Sequence, residues 1–178
     1  YTLDDNSRAL IAAIMHYSIF KSQKSLELIK TYLSFVHYAQ KDDGAFHNLL
    51  DYERKFLDEK GSEDSYGRAL TACGFVVSSN VHENIKANAK FIFDNAVSSV
   101  YKLTFLRAKA FSIIGLYHYF KKYKNKDIVE KAKALADSLV DSYRENSAKD
   151  WKWFEPYLTY SNGKLPESMF LAYFMTKD

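Results

Sequence analysis

Cysteine is almost absent. Cys73 is the single one in 178 residues, so no internal disulfide framework holds this chain together. Proline and glycine are scarce as well, with two and six respectively. An all-β chain needs more turn punctuation than that, so the scarcity favours long helices. No apolar run reaches the length of a bilayer crossing, and no signal-peptide pattern is visible. A strong charge of either sign is also missing. The formal net charge is +3, with lysines such as Lys24, Lys86, Lys90 and Lys131 spread over several outer faces. Basic and aromatic residues are nowhere interleaved on one face, as a nucleic-acid groove requires, so no nucleic-acid partner is expected.

Further absences narrow the chemistry. No glycine-rich loop follows a strand, which removes dinucleotide and P-loop sites. There is no His-x-x-x-His pair or cysteine cluster, and Asp42, Asp43 and Asp51 do not fall at the spacing of a known calcium loop. No cofactor or metal is therefore expected. Cys73 lies in the greasy run Leu70-Thr71-Ala72-Cys73-Gly74-Phe75-Val76, a poor place for a reactive thiolate. The sequence begins at Tyr1 rather than methionine, which allows for a missing leader or upstream domain. A cytoplasmic location is the default expectation.

What is present is a foldable, aromatic chain. Apolar residues make up 47% and aromatic ones 16%, enough for one domain with a substantial core. Apolar spacing predicts an all-α fold of seven helices. They cover about Asp5 to Phe20, Ser22 to Gln40, Glu63 to Ser78, Glu83 to Val100, Phe105 to Tyr123, Lys126 to Glu145, and a last one from about Pro166. The even-numbered helices are amphipathic; in the second, Leu26, Ile29, Leu33 and Val36 form one stripe while Lys24, Glu27 and Lys30 lie elsewhere. The odd-numbered ones, such as Leu10 to Met15 and Phe111 to Leu116, are apolar on nearly every side and need cover all round. Antiparallel αα-hairpins with an inner and an outer layer satisfy both patterns.

The chain also repeats. Asp5-Asn6-Ser7-Arg8-Ala9-Leu10 is matched, with one insertion, by Asp64-Ser65-Tyr66-Gly67-Arg68-Ala69-Leu70, and Arg107-Ala108 holds the same early position in the fifth helix. Recurring hairpins of this kind indicate a toroid or a solenoid. Inner-to-outer connections are short and outer-to-inner ones long, notably Lys41 to Ser62 and Asn146 to Leu165, so the long loops gather where the inner helices start. Function collects on such a rim.

The rim carries Asp4, Asp5 and Arg8, then Glu63, Asp64 and Arg68, with His47 and Asn48 on the first long loop. Trp151, Trp153, Glu155, Tyr157 and Tyr160 lie on the second, and Glu167 follows it. Two carboxyls across a gap can act as acid and base in glycoside hydrolysis, and aromatic rings stack on sugar faces, so the ingredients of a saccharide cleft are present. A structural alternative stands beside this. Acidic residues belong at helix N-termini as caps. The i,i+4 pairs Asp4/Arg8 and Asp64/Arg68 also stabilise a helix by roughly 0.2–0.5 kcal/mol. Likewise the tryptophan loop is either a plug or a ligand platform.

Four spaced blocks resemble a known family. They are Tyr1 to Leu10, Phe46-His47-Asn48, Gly61-Ser62-Glu63-Asp64 with Gly67-Arg68-Ala69-Leu70, and Trp151-Lys152-Trp153-Phe154-Glu155 followed by Leu158-Thr159-Tyr160 and Asn162 to Pro166. Together they look like bacterial α/α-toroid domains, related to six-hairpin glycosidases, that occur with or fused to glycosyltransferases. Ser7, Thr71 and Cys73 depart from the pattern on helix bodies, which touches packing rather than the rim. Family members continue with further hairpins, whereas this sequence stops at Lys177-Asp178 without a capping residue. The expectation is a portion, residues 1–178, of a longer toroid, with an open inner surface that self-associates or is capped by its last helix.

The resemblance implies glycan metabolism. It makes Asp5, Glu63 and Asp64 candidate acid/base groups, and Arg8, His47, Asn48, Arg68, Trp151, Trp153, Glu155 and Tyr160 candidate sugar-binding residues. The expected partners are a glycan and a glycosyltransferase, with no membrane. A non-catalytic module that binds glycan or organises a glycosyltransferase is the alternative, and a helical-repeat scaffold for proteins is the third reading.

Overall fold

A computed structural model describes residues 1–178 as an all-α fold without a β-sheet. Its seven helices are α1 (Leu3–Phe20), α2 (Gln23–Tyr38), α3 (Glu63–Ser78), α4 (Glu83–Ala96), α5 (Leu106–Tyr123), α6 (Lys126–Asn146) and α7 (Lys164–Thr176). A 3₁₀ segment, Val97–Lys102, follows α4. No helix is long and apolar enough to cross a membrane.

The helices form two layers. In the inner one, α1 packs on α3, α3 on α5, and α5 on α7, while α2, α4 and α6 each cover the inner helix that precedes them. The hairpins are antiparallel. Ser25 near the start of α2 meets His16 late in α1 at 2.6 Å, and Ser138 late in α6 accepts from Lys109 early in α5 at 2.7 Å. All four inner helices therefore begin at the same end, with the long loops over it.

The core lies along α3 and α5. Ala69, Leu70, Ala72, Cys73, Val76 and Val77 are buried on α3, as are Ala108, Ala110, Phe111, Ile113, Leu116 and Tyr119 on α5. The two backbones touch through glycine: a Cβ on Gly74 would stand 2.3 Å from the Gly115 carbonyl oxygen. The Cys73 thiol is wholly enclosed, and burial pushes its pKa up to about 12, so it is a packing residue.

Several sequence expectations change in detail. The first helix starts at Leu3, two residues before Asp5, because Thr2 is its N-cap and accepts from the Asp5 N–H at 3.0 Å. The second stops at Tyr38, since Ala39 and Gln40 turn back to pair with the segment Phe46-His47. The fourth stops at Ala96 instead of Val100. There the chain tightens into the 3₁₀ turn, and the Tyr66 hydroxyl donates to the Ala96 carbonyl at 2.5 Å. The last helix begins at Lys164, with Pro166 inside its first turn, where the missing N–H costs nothing. It does end on a cap. Lys177 adopts the left-handed conformation, φ 63°, as Lys21 and Lys124 do after α1 and α5. Finally, only α3 and α5 are covered all round. As the end members of the layer, α1 leaves Met15, Ile19 and Phe20 exposed, and α7 leaves Phe170, Tyr173 and Phe174 exposed.

Candidate functional site

The rim is assembled from four helix starts and two loops. At α1, Thr2 and Asp5 form a reciprocal cap, the Thr2 hydroxyl also donating to Asp5 Oδ2 at 2.8 Å. The other Asp5 oxygen accepts from Arg8 Nη2 at 2.5 Å. Asp4 bridges two helices. Its Oδ1 lies 2.8 Å from Arg8 Nε and 3.3 Å from Arg68 Nε, as ion pairs without the alignment of a hydrogen bond. The Arg68 guanidinium lies 4.2 Å above the centre of the Phe111 ring, so it is held by charge on one side and by an aromatic face on the other.

At α3, Ser62 is the N-cap and accepts from the Ser65 N–H at 3.2 Å. This frees Glu63 to reach the next inner helix. Its Oε2 accepts the backbone N–H groups of Thr104 at 2.7 Å and Phe105 at 2.9 Å, and its Oε1 accepts the Thr104 hydroxyl at 2.9 Å. The carboxylate thus satisfies donors in the turn that starts α5, where negative charge is favoured. Asp64 accepts from the Tyr160 hydroxyl through Oδ2. Burial and this hydrogen bond push the Tyr160 phenol up to about 12, so it remains a neutral donor through the physiological range.

Arg107, near the start of α5, anchors the last loop. It is 5% exposed, and its Nη1 donates to both Glu155 carboxylate oxygens at 2.6 Å. Nε donates to the Tyr160 carbonyl at 2.7 Å and Nη2 to Asn162 Oδ1 at 2.9 Å, and the guanidinium lies 5.0 Å from the Tyr160 ring centre. Trp151 closes the loop on itself, its Nε1 donating to the Glu155 carbonyl at 2.6 Å. Trp153 turns elsewhere. It lines an apolar groove of about 670 Å³ with Tyr143, Phe154, Phe170, Tyr173 and Phe174, and its Nε1 is enclosed there without an acceptor.

His47 is held within the first long loop. Its ring stacks on Phe56, centres 4.3 Å apart, with Nδ1 2.6 Å from the Asp58 carbonyl. Asn48 fixes the first loop to α1, its Oδ1 accepting from the Asp4 N–H at 3.3 Å and its carbonyl from the Leu3 N–H at 2.9 Å. Next to Glu63 lies a cavity of about 140 Å³ with Phe46, Tyr66, Ser62, Ser99, Asp43 and Lys102 in its lining.

The structure thus gathers Asp5, Arg8 and Arg68 around Asp4, and Asp64, Tyr160 and Glu155 around Arg107, while Glu63, His47 and Trp153 each belong to a separate contact. Two contributors escaped the sequence reading of the site. Arg107 was visible as the third arginine of the repeat. Asp58, whose carboxylate accepts the N–H groups of Asn48 at 2.7 Å and Leu49 at 2.8 Å, had no pattern to reveal it.

Chemically, the carboxylates are engaged in bracing. Hydrolysis by paired carboxyls needs one group able to deliver a proton and another facing water or the sugar across a fixed gap. Here Asp5, Glu63 and Glu155 have both oxygens occupied by N–H, O–H or guanidinium donors, Asp64 keeps one oxygen outside such a bond, and Asp4 is held by ion pairs alone. The same end exposes aromatic surface in Tyr157, Tyr160 and Phe105, and around the first loop in Tyr1 and Tyr52, whose rings meet edge to face. The fold defines the class, an all-α protein of layered αα-hairpins. No protein-family model and no curated protein matches the chain.

Proposed function

We propose that this chain is a glycan-binding module, of the α/α-toroid kind, that presents saccharide to a glycosyltransferase rather than cleaving it. The glycan class and the glycosyltransferase partner come from the resemblance of the rim motifs. Binding over hydrolysis is supported by one observation: Asp5, Glu63 and Glu155 are committed to capping helices and neutralising arginines, while aromatic rings stay exposed beside them. Rings of this type stack on the apolar faces of sugars without any catalytic group.

The glycosidase-like reading keeps one specific support, the unbonded oxygen of Asp64 beside the Tyr160 hydroxyl. A glycan panel separates the two, with binding read by calorimetry and turnover by released reducing ends, on wild type, Tyr157→Ala, Glu63→Gln and Asp64→Asn. The binding module predicts glycan binding weakened by Tyr157→Ala, no cleavage by any form, and a lower melting temperature for Glu63→Gln. Cleavage by wild type that Asp64→Asn abolishes, with folding and binding intact, would establish the hydrolase instead. Failure to bind any glycan would leave the helical-repeat scaffold.

A further inference from the structure

We propose that Asp64 and Arg68 are the two sides of a hydroxyl-reading site, and that the saccharide held between them is neutral, presenting two adjacent hydroxyl groups rather than a carboxylate or a phosphate. This rests on the glycan-binding reading and deepens it by naming the class of ligand.

The starting point is an ion pair that the sequence favours and the structure does not make. Asp64 and Arg68 stand four residues apart on α3, so they share one face of the helix, and a side chain at Arg68 leans back over the turn that holds Asp64. Each is nevertheless held by something else. Arg68 is drawn to Asp4, its Nε 3.3 Å from Oδ1, and its guanidinium lies 4.2 Å above the Phe111 ring. Asp64 is turned to the Tyr160 hydroxyl through Oδ2. The three groups are still neighbours, because the charge of Arg68 is felt at the phenol that Asp64 binds. Two side chains that would neutralise each other are kept apart by partners on α1, on α5 and on the last long loop.

What they leave free is complementary. The Arg68 side chain is only 17% exposed and its Nε is enclosed, but Nη1 and Nη2 donate to no protein atom and stay open to solvent. Asp64 Oδ1 accepts no hydrogen bond and is open as well. A donor fork already fixed at its root loses little freedom when it binds. An occupant that meets both sides has to accept from the guanidinium and donate to the carboxylate. Adjacent sugar hydroxyls do both, whereas a carboxylate or phosphate offers acceptors and an ammonium offers donors. The half-exposed Tyr160 ring supplies an apolar face beside them. Charge then separates neutral from anionic ligands. Asp4 and Asp5 stand against Arg8 and Arg68, and Glu155 stands against Arg107. Asp64 has no cation of its own, so an anionic sugar meets an unopposed carboxylate and a neutral one does not.

Calorimetry at low ionic strength tests this, comparing trisaccharides of glucose, galactose and mannose with a galacturonate trisaccharide and glucose 1-phosphate. At least one neutral trisaccharide binds more tightly than either anion. Arg68→Lys keeps the charge and loses the fork; Asp64→Asn still accepts from Tyr160 and loses the charge. Each weakens neutral binding about tenfold, the worth of one hydrogen bond to a charged group. Asp64→Asn also narrows the preference for neutral over anionic sugar, which a merely structural role would leave as in wild type. That variant decides alone if circular dichroism shows Arg68→Lys unfolded. Neutral and anionic sugars bound alike, an anion bound more tightly, or an Asp64→Asn variant that binds and discriminates as wild type does, each overturns this inference and leaves the glycan reading standing. Binding of none of the sugars overturns both.

Discussion

Arg107 and Glu155, 48 residues apart in the chain, meet in a two-oxygen ion pair at 2.6 Å beneath the last long loop. With the Tyr160 carbonyl and Asn162 completing the guanidinium's partners, this one contact determines how the aromatic loop sits on α5. A stretch without regular structure keeps a fixed shape because one buried cation collects its acceptors.

Glu155→Ala leaves Arg107 charged and nearly enclosed. Breaking a buried pair by removing one partner costs about 3–5 kcal/mol. Denaturant unfolding should show that loss, and limited proteolysis should begin to cut between residues 147 and 163. Tyr157→Ala, an exposed change on the same loop, should stay within about 0.5 kcal/mol of wild type.

Gly74→Ala tests the contact between α3 and α5. The new methyl group would meet the Gly115 backbone at 2.3 Å, so the helices must part. Overpacking of a core costs typically about 1–3 kcal/mol, and a backbone obstacle places this case at the upper end. Thermal unfolding checks it; a melting temperature equal to wild type would contradict the close approach. Gly163→Ala, with open space around its Cβ position, serves as the control.

His118 predicts an acid sensitivity. Burial, then the charges of Lys121 and Lys164, lower its pKa from 6.5 to about 4. The folded chain therefore binds fewer protons than the unfolded one in that interval. The stability from the neutral ring is present above pH 6.5 and lost as pH falls through about 4. Urea midpoints should drop less steeply over this window in His118→Gln than in wild type.

Tyr119 predicts the opposite limb. Burial, then its hydrogen bond to Asp94, raises its pKa from 10 to about 12. The contribution is full below pH 10 and lost as pH rises through about 12. Tyr119→Phe should flatten the alkaline fall in unfolding free energy, and ultraviolet phenolate titration should show one late-titrating group fewer.

The fold was legible because its signals are periodic. The stripe of Leu26, Ile29, Leu33 and Val36 marks an outer helix, and the all-apolar runs around Leu70 and Ile113 mark inner ones. Boundaries were less legible where a distant group decides them. No local rule foretells that α4 gives way to a 3₁₀ turn after Ala96, where the Tyr66 hydroxyl, 30 residues away, meets the chain. At the rim, residue types were readable but their roles were not. The sequence offers Glu63 equally as a proton donor and as a brace; only the position of Thr104 and Phe105 in space shows which donors it meets. Arg107 carried a signal, its place in the repeat, whereas Asp58 carried none. Nor does local pattern tell an interior helix from an end one, since α1 and α3 are similarly greasy and differ in what stands beside them.

That layered arrangement also governs how the chain comes apart. Each helix touches its neighbours and little else, so opening is nearly one-dimensional and starts where coverage is thinnest. Amide exchange should be slowest in α3 and α5, joined at Gly74 and Gly115, and quicken outward toward α1 and α7. The end helices have an inner neighbour on one side only, and they fray while the central pair still holds.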